Sequence, residues 1–297
     1  RSDLPRERSP SLAYASRSEA TEGSLMPFQQ VSESNIHYEQ FGQGPDIVWV
    51  AGGGGLGSDW HEYQIPYFER DFRNTTFDNR GIGKTTCDIP QPWPVESFSD
   101  DAAELIRAVC DPPVAVIGLS MGSAIVQQLV LDHPDLFLVA VAMGTGANSR
   151  GWGWDYQEAE IEFRRAGGSL DGMMAVTHYA ATMYPARALG DRELWPKIRD
   201  ELLAWIETGE NEASLIPQWE MSLTYDQADR LPECTVPLHV VAFQEDVQAP
   251  PQDGKEVADL APTGEYHLFE GMGHCSIYGH THHILNPFLK EVVERYL

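Results

Sequence analysis

Basic residues are scarce in this chain of 297: 20 Lys and Arg stand against 45 Asp and Glu, a formal charge of -25. A surface so balanced repels nucleic acid phosphates and anionic lipid, and neither is expected as a partner. The excess acid reads first as a solvated surface that aids solubility, with a cationic substrate as the alternative. Cysteine is sparse too. The four residues Cys87, Cys110, Cys234 and Cys275 show no C-x-x-C spacing, so no disulfide framework or thiolate zinc site is signalled. Free thiols in a reducing, cytoplasmic compartment are expected. No apolar run approaches the length that crosses a bilayer, which excludes a membrane span. The first 27 residues have no apolar core of the signal-peptide kind; up to Met26 they balance four basic against four acidic side chains. They read as a polar leader that carries no chemistry.

What is present centres on Gly118-Leu119-Ser120-Met121-Gly122. A β-branched run (Val114, Val116, Ile117) leads into it and a helix-favouring segment, 124–131, leaves it. Strand, sharp turn and helix are the context in which G-x-S-x-G forms a nucleophile elbow, its serine hydroxyl standing clear of the sheet. The helix starts at the serine, so its free N–H groups favour an oxyanion there.

Residues 36–41 alternate apolar and polar and turn at 42–45 into the buried-strand pattern of 46–50, as a hairpin at a sheet edge would. The loop 51–57 follows at once. Its four consecutive glycines expose backbone N–H groups suited to a second oxyanion donor. A phosphate cradle is the alternative, but the G-K-[ST] ending of a P-loop is missing, as is the dinucleotide-binding spacing. A strand at 74–77 runs into the turn 78–85, where Asp78 and Arg80 are assigned a structural role as ties. Ser97 or Ser99 opens a helix with Ala103, Leu105, Ile106 and Val109 at helical spacing, and 136–143 is a further buried strand. The alternation predicts an α/β protein: a doubly wound, mostly parallel sheet covered on both faces.

From 148 to 231 the pattern turns helical with no convincing strand, and is read as an inserted helical cap on a core formed by 28–147 and 232–297. The cap holds five of the eight tryptophans. Trp195, Ile198, Leu202, Trp205 and Ile206 make one helical stripe and read as cap core. Trp152 and Trp154, in a Gly-rich stretch, are the substrate-pocket candidates. Strand signals return at 237–243 and 265–269, with helices at 254–260 and 285–297.

A serine needs a base, and the base an orienting acid. In a parallel sheet such groups collect after the carboxyl ends of strands. Ser120, Asp246 and His274 each follow a strand, in the order that this elbow uses on an open sheet. Glu245 is the rival acid; Asp246 is preferred because it heads a D-x-x-x-P spacing with Pro250. His280, His282 and His283 resemble a fragment of a metal site but lack acid or cysteine partners at ligand spacing, so a polar helix start is expected and no metal.

These residues together carry a resemblance. The elbow 118–122, the turn 78–85, Asp246 with Pro250, and Gly271-Met272-Gly273-His274 resemble the α/β-hydrolase superfamily across about residues 30–297. Within it the elbow and the Arg-Gly turn are most similar to the branch of enol-lactonases, carbon–carbon bond hydrolases and cofactor-free haloperoxidases. The resemblance implies Ser120 as nucleophile, His274 as base, Asp246 as its acid, and the N–H groups of Gly53 and Met121 as the oxyanion hole. Gly54 stands as the alternative donor and as a substrate contact, because this chain has Ala51-Gly52 where many members have His-Gly. It also implies no cofactor and a small-molecule substrate. The expected activity is hydrolysis of an ester or lactone of an apolar or aromatic molecule. The same residues would serve a carbon–carbon hydrolase, a thioesterase or a polyketide-tailoring enzyme. A ligand-binding protein on a hydrolase scaffold is the reading from another class.

Overall fold

A computed structural model describes residues 28–208 and 212–297; the polar leader lies outside them. The strands are β1 (Phe28–Gln30), β2 (Ser34–Phe41), β3 (Asp46–Val50), β4 (Arg73–Phe77), β5 (Thr86–Cys87), β6 (Val114–Leu119), β7 (Phe137–Met143), β8 (Leu238–Phe243) and β9 (Gly264–Phe269). They form one sheet in the order β1-β2-β4-β3-β6-β7-β8-β9, with β5 on β2. Pairing is parallel from β4 through β9 and antiparallel at the β2 end.

Two-sided burial explains the unbroken apolar runs of the central strands. Along β3, Val48 and Val50 enter one core while Ile47 and Trp49 enter the other. In β6 Val114 and Val116 face the first core, and Ala115, Ile117 and Leu119 the second. This is the twofold period of a pleated strand. The first core is covered by α2 (Val95–Val109), α3 (Met121–Asp132) and α9 (Pro251–Leu260); the second by α1 (Ile65–Phe68) and α10 (His282–Glu294).

Between β7 and β8 the chain runs through α4 (Gly151–Arg165), α5 (Gly172–Met183), α6 (Ala186–Leu189), α7 (Trp195–Thr208) and α8 (Glu212–Thr224). Helices α5, α6 and α7 share a small cluster of their own, built on Val176, Ala180, Tyr184, Ala188, Ile198 and Leu202. An antiparallel bridge between Asn148 and Asp226 ties the two ends of this segment together.

Two expectations are corrected. Strands β2 and β3 are not a hairpin: β4 lies between them, antiparallel to β2 and parallel to β3. The glycine turn at 42–45 therefore crosses a strand's width, and local alternation carries no information about which strand fills the gap. Helix α2 begins at Val95, before Ser97 and Ser99, with Pro94 in extended backbone ahead of it. Proline preorganises that start without a side-chain cap.

Candidate active site

Ser120 occupies the turn between β6 and α3 with φ 56° and ψ −123°, and is the one non-glycine residue at positive φ among those described. That backbone costs on the order of 1–3 kcal/mol and persists only where its surroundings hold it. They do so here by close approach. A Cβ on Gly118 would lie 2.3 Å from the Gly122 carbonyl oxygen, and one on Gly122 2.3 Å from that of Val50. Only glycine lets the elbow fold so tightly. The Ser120 N–H donates to the Met143 carbonyl at 2.9 Å, fixing the turn to the neighbouring strand.

Asp246 follows β8 and His274 follows β9, so parallel pairing of these strands brings both loops to the same end of the sheet. His274 Nδ1 donates to Asp246 Oδ2 at 2.7 Å, with the residues 3% and 4% exposed. Asp246 Oδ1 accepts the N–H groups of Gln248 and Ala249, each at 2.9 Å. The carboxylate is thus aimed by the backbone and in turn fixes the tautomer of the imidazole. His274 Nε2 is buried and has no hydrogen-bond partner. His274 and Ser120 line the same cavity of about 340 Å³, and together line an adjoining polar chamber of about 80 Å³. No hydrogen bond joins the Ser120 hydroxyl to Nε2; such catalytic bonds often tighten only in the complex with substrate. Glu245, the rival acid, points elsewhere and is ion-paired with Arg187.

The glycine loop resolves by elimination. Gly55 N–H closes a turn on Gly52 O at 3.0 Å, and Gly54 N–H donates to Gln218 Oε1 at 2.7 Å. Gly54 is buried and does not line the cavity. Its expected roles as alternative donor and substrate contact are therefore corrected: its N–H is already spent on helix α8. Gly53 and Met121 both line the cavity, and a Cβ on Gly53 would touch Met121 Cβ at 3.7 Å. Their N–H groups have no partner among the described hydrogen bonds.

Trp152 and Trp154 are corrected as well. Trp152 is 53% exposed and stacks on Tyr156 with ring centroids 5.0 Å apart; neither tryptophan lines the cavity. Helix α4 presents Tyr156, Gln157 and Glu160 instead; Trp152 lies one turn before Tyr156 on the same face, at the start of the helix and short of the cavity. Trp205 and Trp219 are the cavity's tryptophans. The stripe on α7 is divided: Ile198 is buried in the helical cluster with Trp195 and Ile206 packed against it, whereas Leu202 is in the cluster and also lines the cavity, which Trp205 reaches too.

Other lining residues carried no signal in the sequence: Tyr63, Tyr179, Tyr184, Tyr278 and the acids Asp59, Glu62 and Glu201. Burial pushes the Asp59 carboxyl up to about 6; the nearby Asp78 adds to the rise, and the N–H of Leu56 opposes it. Glu201 is raised by burial and by Glu62, against the pull of the Tyr63 hydroxyl that donates to it at 2.9 Å. The Cys275 thiol, beside the histidine, is pushed up by burial and by Asp246 and Asp59.

Asp78 and Arg80 do act as ties, though not to each other. Asp78 accepts the N–H groups of Gly57 and Lys84, and Arg80 pairs with Asp101 and Glu33. Among the described residues one further group, His239, Glu265 and His267, has the composition of a metal site. Its rings lie within 14° of coplanar with centroids 5.2 Å apart, and Nδ1 of His239 meets Nε2 of His267 at 2.9 Å. The two nitrogens face each other across one proton, whereas metal ligands must converge on a third point. Tyr296 hydroxyl, 3.0 Å from His239 Nε2, extends the same hydrogen-bonded chain. His282 begins α10, and its ring packs on Tyr63 with centroids 4.7 Å apart.

The sheet order, the strained serine at a strand-to-helix turn and the His–Asp pair after the last strands define an α/β-hydrolase, and the family model for the alpha/beta hydrolase fold matches residues 45–281. The chain belongs to this family. It is 31% identical over 272 residues to a Mycobacterium tuberculosis protein named as the non-heme bromoperoxidase BpoC, covering 86% of this chain and 97% of that one. The crystal structure of BpoC superposes with a TM-score of 0.82 at 27% identity, covering 89% and 97% of the two chains. A Stutzerimonas stutzeri protein named as the carbamate hydrolase RutD is 24% identical over 246 residues, covering 81% of this chain and 90% of that one. The enol-lactonase of Burkholderia xenovorans shares the fold, with a TM-score of 0.77 at 20% identity over 90% of this chain and 98% of that one. No helix among the described residues is long and apolar enough to cross a membrane.

Proposed function

We propose that the protein is a serine hydrolase that cleaves an ester or lactone of an apolar or aromatic small molecule through an acyl-enzyme on Ser120. One observation carries this reading: an imidazole held by a buried carboxylate presents an unpartnered Nε2 to the cavity that a strained elbow serine also lines. Ser120 Oγ attacks the carbonyl carbon while His274 Nε2 takes the hydroxyl proton. The imidazolium that forms is stabilised by Asp246. The oxyanion is met by Gly53 and Met121 N–H groups, aided by the N-terminus of α3. His274 then gives its proton to the leaving oxygen. Water, deprotonated by the same nitrogen, attacks the acyl-enzyme and frees the serine. The aromatic lining supports an apolar or aromatic substrate. The four thiols are free, in keeping with work in the cytoplasm.

A panel of p-nitrophenyl esters, lactones and acyl thioesters, run with fluorophosphonate labelling, tests this. Ser120→Ala is expected to abolish labelling and lower kcat on the order of 10⁶-fold. Retention of most activity in that variant excludes the mechanism. The name borne by the M. tuberculosis relative favours a second acceptor for the same intermediate. Hydrogen peroxide in place of water would attack the acyl-enzyme and leave as a peroxyacid, and peroxyacid formation on adding peroxide to the assay is its signature.

A further inference from the structure

The cavity beside Ser120 has a charge of one sign. Four carboxylates line it, Asp59, Glu62, Glu160 and Glu201, and no lysine or arginine is among the lining residues. Glu160 is compensated from behind by Arg164. The other three have no ion-pair partner within 4.0 Å among the described residues: Asp59 accepts the Leu56 N–H at 3.1 Å, Glu201 accepts the Tyr63 hydroxyl, and Lys197 acts on Glu201 only from a distance. Glu62 and Glu201 both act on Tyr63, and Glu62 disfavours the charge on Glu201. Like charges held together in a partly desolvated wall oppose folding, and a guest of opposite sign removes that penalty. Aromatic rings line much of the remaining wall, with Leu119, Met121, Met183, Leu202 and Leu215 between them. Tyr63, Tyr184, Tyr278 and Trp205 bring rings whose π-systems attract a cation. Carboxylates interleaved with tyrosine rings are a poor host for a carboxylate or phosphate and a good one for an ammonium group. The same cavity holds the buried, unpartnered Nε2 of His274, so a guest seated on this wall lies within the chamber where the reactive groups meet.

We propose that the substrate carries a cationic ammonium group, which the wall of Asp59, Glu62 and Glu201 with Tyr63, Tyr184 and Tyr278 holds while Ser120 attacks its ester or lactone carbonyl. The bond cleaved rests on the serine-hydrolase reading; the preference for positive charge does not.

The test separates the two. A choline ester and its carbon isostere, the 3,3-dimethylbutyl ester of the same acid, differ in charge and hardly in shape. The cationic ester is expected to have the higher kcat/KM by about tenfold or more, with Asp59→Asn and Glu201→Gln each eroding the advantage. In parallel, phenyltrimethylammonium binding to the Ser120→Ala protein is measured by calorimetry, alone and with the same two substitutions. Binding that weakens at least about fivefold in either double variant supports the proposal. Equal or better turnover of the neutral ester, together with no measurable phenyltrimethylammonium binding, overturns it while leaving the hydrolase reading intact. If neither ester is cleaved and Ser120 is not labelled, the hydrolase reading fails. The ammonium preference is then decided by calorimetry alone: carboxylate-dependent binding sustains it and absence of binding ends it.

Discussion

The cavity has two walls built by different means. On the sheet side the reactive groups trace back to backbone: Ser120 by its bond to Met143 O, Asp246 by the N–H groups of Gln248 and Ala249, and His274 through Asp246. On the helical side α4, α5, α7 and α8 contribute side chains alone, held by a small apolar cluster and by polar links such as Arg164 to Tyr179. The sheet wall fixes its groups closely because backbone hydrogen bonds hold them between paired strands. The helical wall fixes only which groups are near. Damage to the first should therefore remove chemistry, and damage to the second should change which molecules are accepted.

Substitutions on either side sharpen or break that division. The largest effect after loss of the serine itself is expected from Asp246→Asn. It keeps the shape but favours the wrong imidazole tautomer, and kcat should fall on the order of 10⁴-fold. Its neighbour is the control: Glu245→Gln should leave kcat within about twofold, since Glu245 pairs with Arg187 away from the histidine. Equal losses at the two positions would mean that the acid has been misassigned. On the helical wall, Trp205→Ala removes apolar binding area and should raise KM about tenfold while kcat changes less; a fall confined to kcat would show that the two walls are not separable in this way.

The smallest effect is one of stability. Asp59 is held at about 6 in the folded chain against 3.8 when unfolded. Between those values the folded state binds the extra proton, so the stability associated with this group is present at low pH and lost as pH rises through 6. Asp59→Asn should raise stability above pH 7 by on the order of 1–3 kcal/mol and flatten the melting temperature between pH 4 and 6. A variant that melts lower at pH 7.5 would contradict the burial penalty assigned to Asp59.

The same division explains what could be read from the chain. Strands β6 and β7 are unbroken apolar runs, β3 and β8 are apolar but for Asp46 and His239, and Gly118 and Gly122 meet a close-packing requirement, so the doubly wound sheet and the place of Ser120 were legible. Asp246 and His274 followed, because groups after parallel strands share one edge. The helical wall was opaque. Trp152 stops one turn short of the cavity while Trp205 reaches it, and nothing local to α4 and α7 sets which turn of each helix meets the chamber. Asp59 and Glu201 look like any surface acid in a chain with 45 of them. That they face one chamber depends on the loop after β3 meeting α7, a contact between segments far apart in sequence. Gly54 was misread for a similar cause: the group that claims its N–H lies 164 positions later.

That last bond has a mechanical consequence. Gln218 works as a latch with two ends: its carbonyl oxygen takes the Gly54 N–H, and its amide reaches Arg80 O at 3.4 Å. Helix α8 cannot swing outward to admit a bulky molecule without either releasing the glycine segment or dragging it along. Gly53, one residue away, would be displaced in the second case and left slack in the first. Opening of the chamber and the placement of Gly53, the proposed oxyanion donor, are in this way yoked, and on the proposed mechanism a molecule too large to let α8 reseat is expected to be admitted but not turned over.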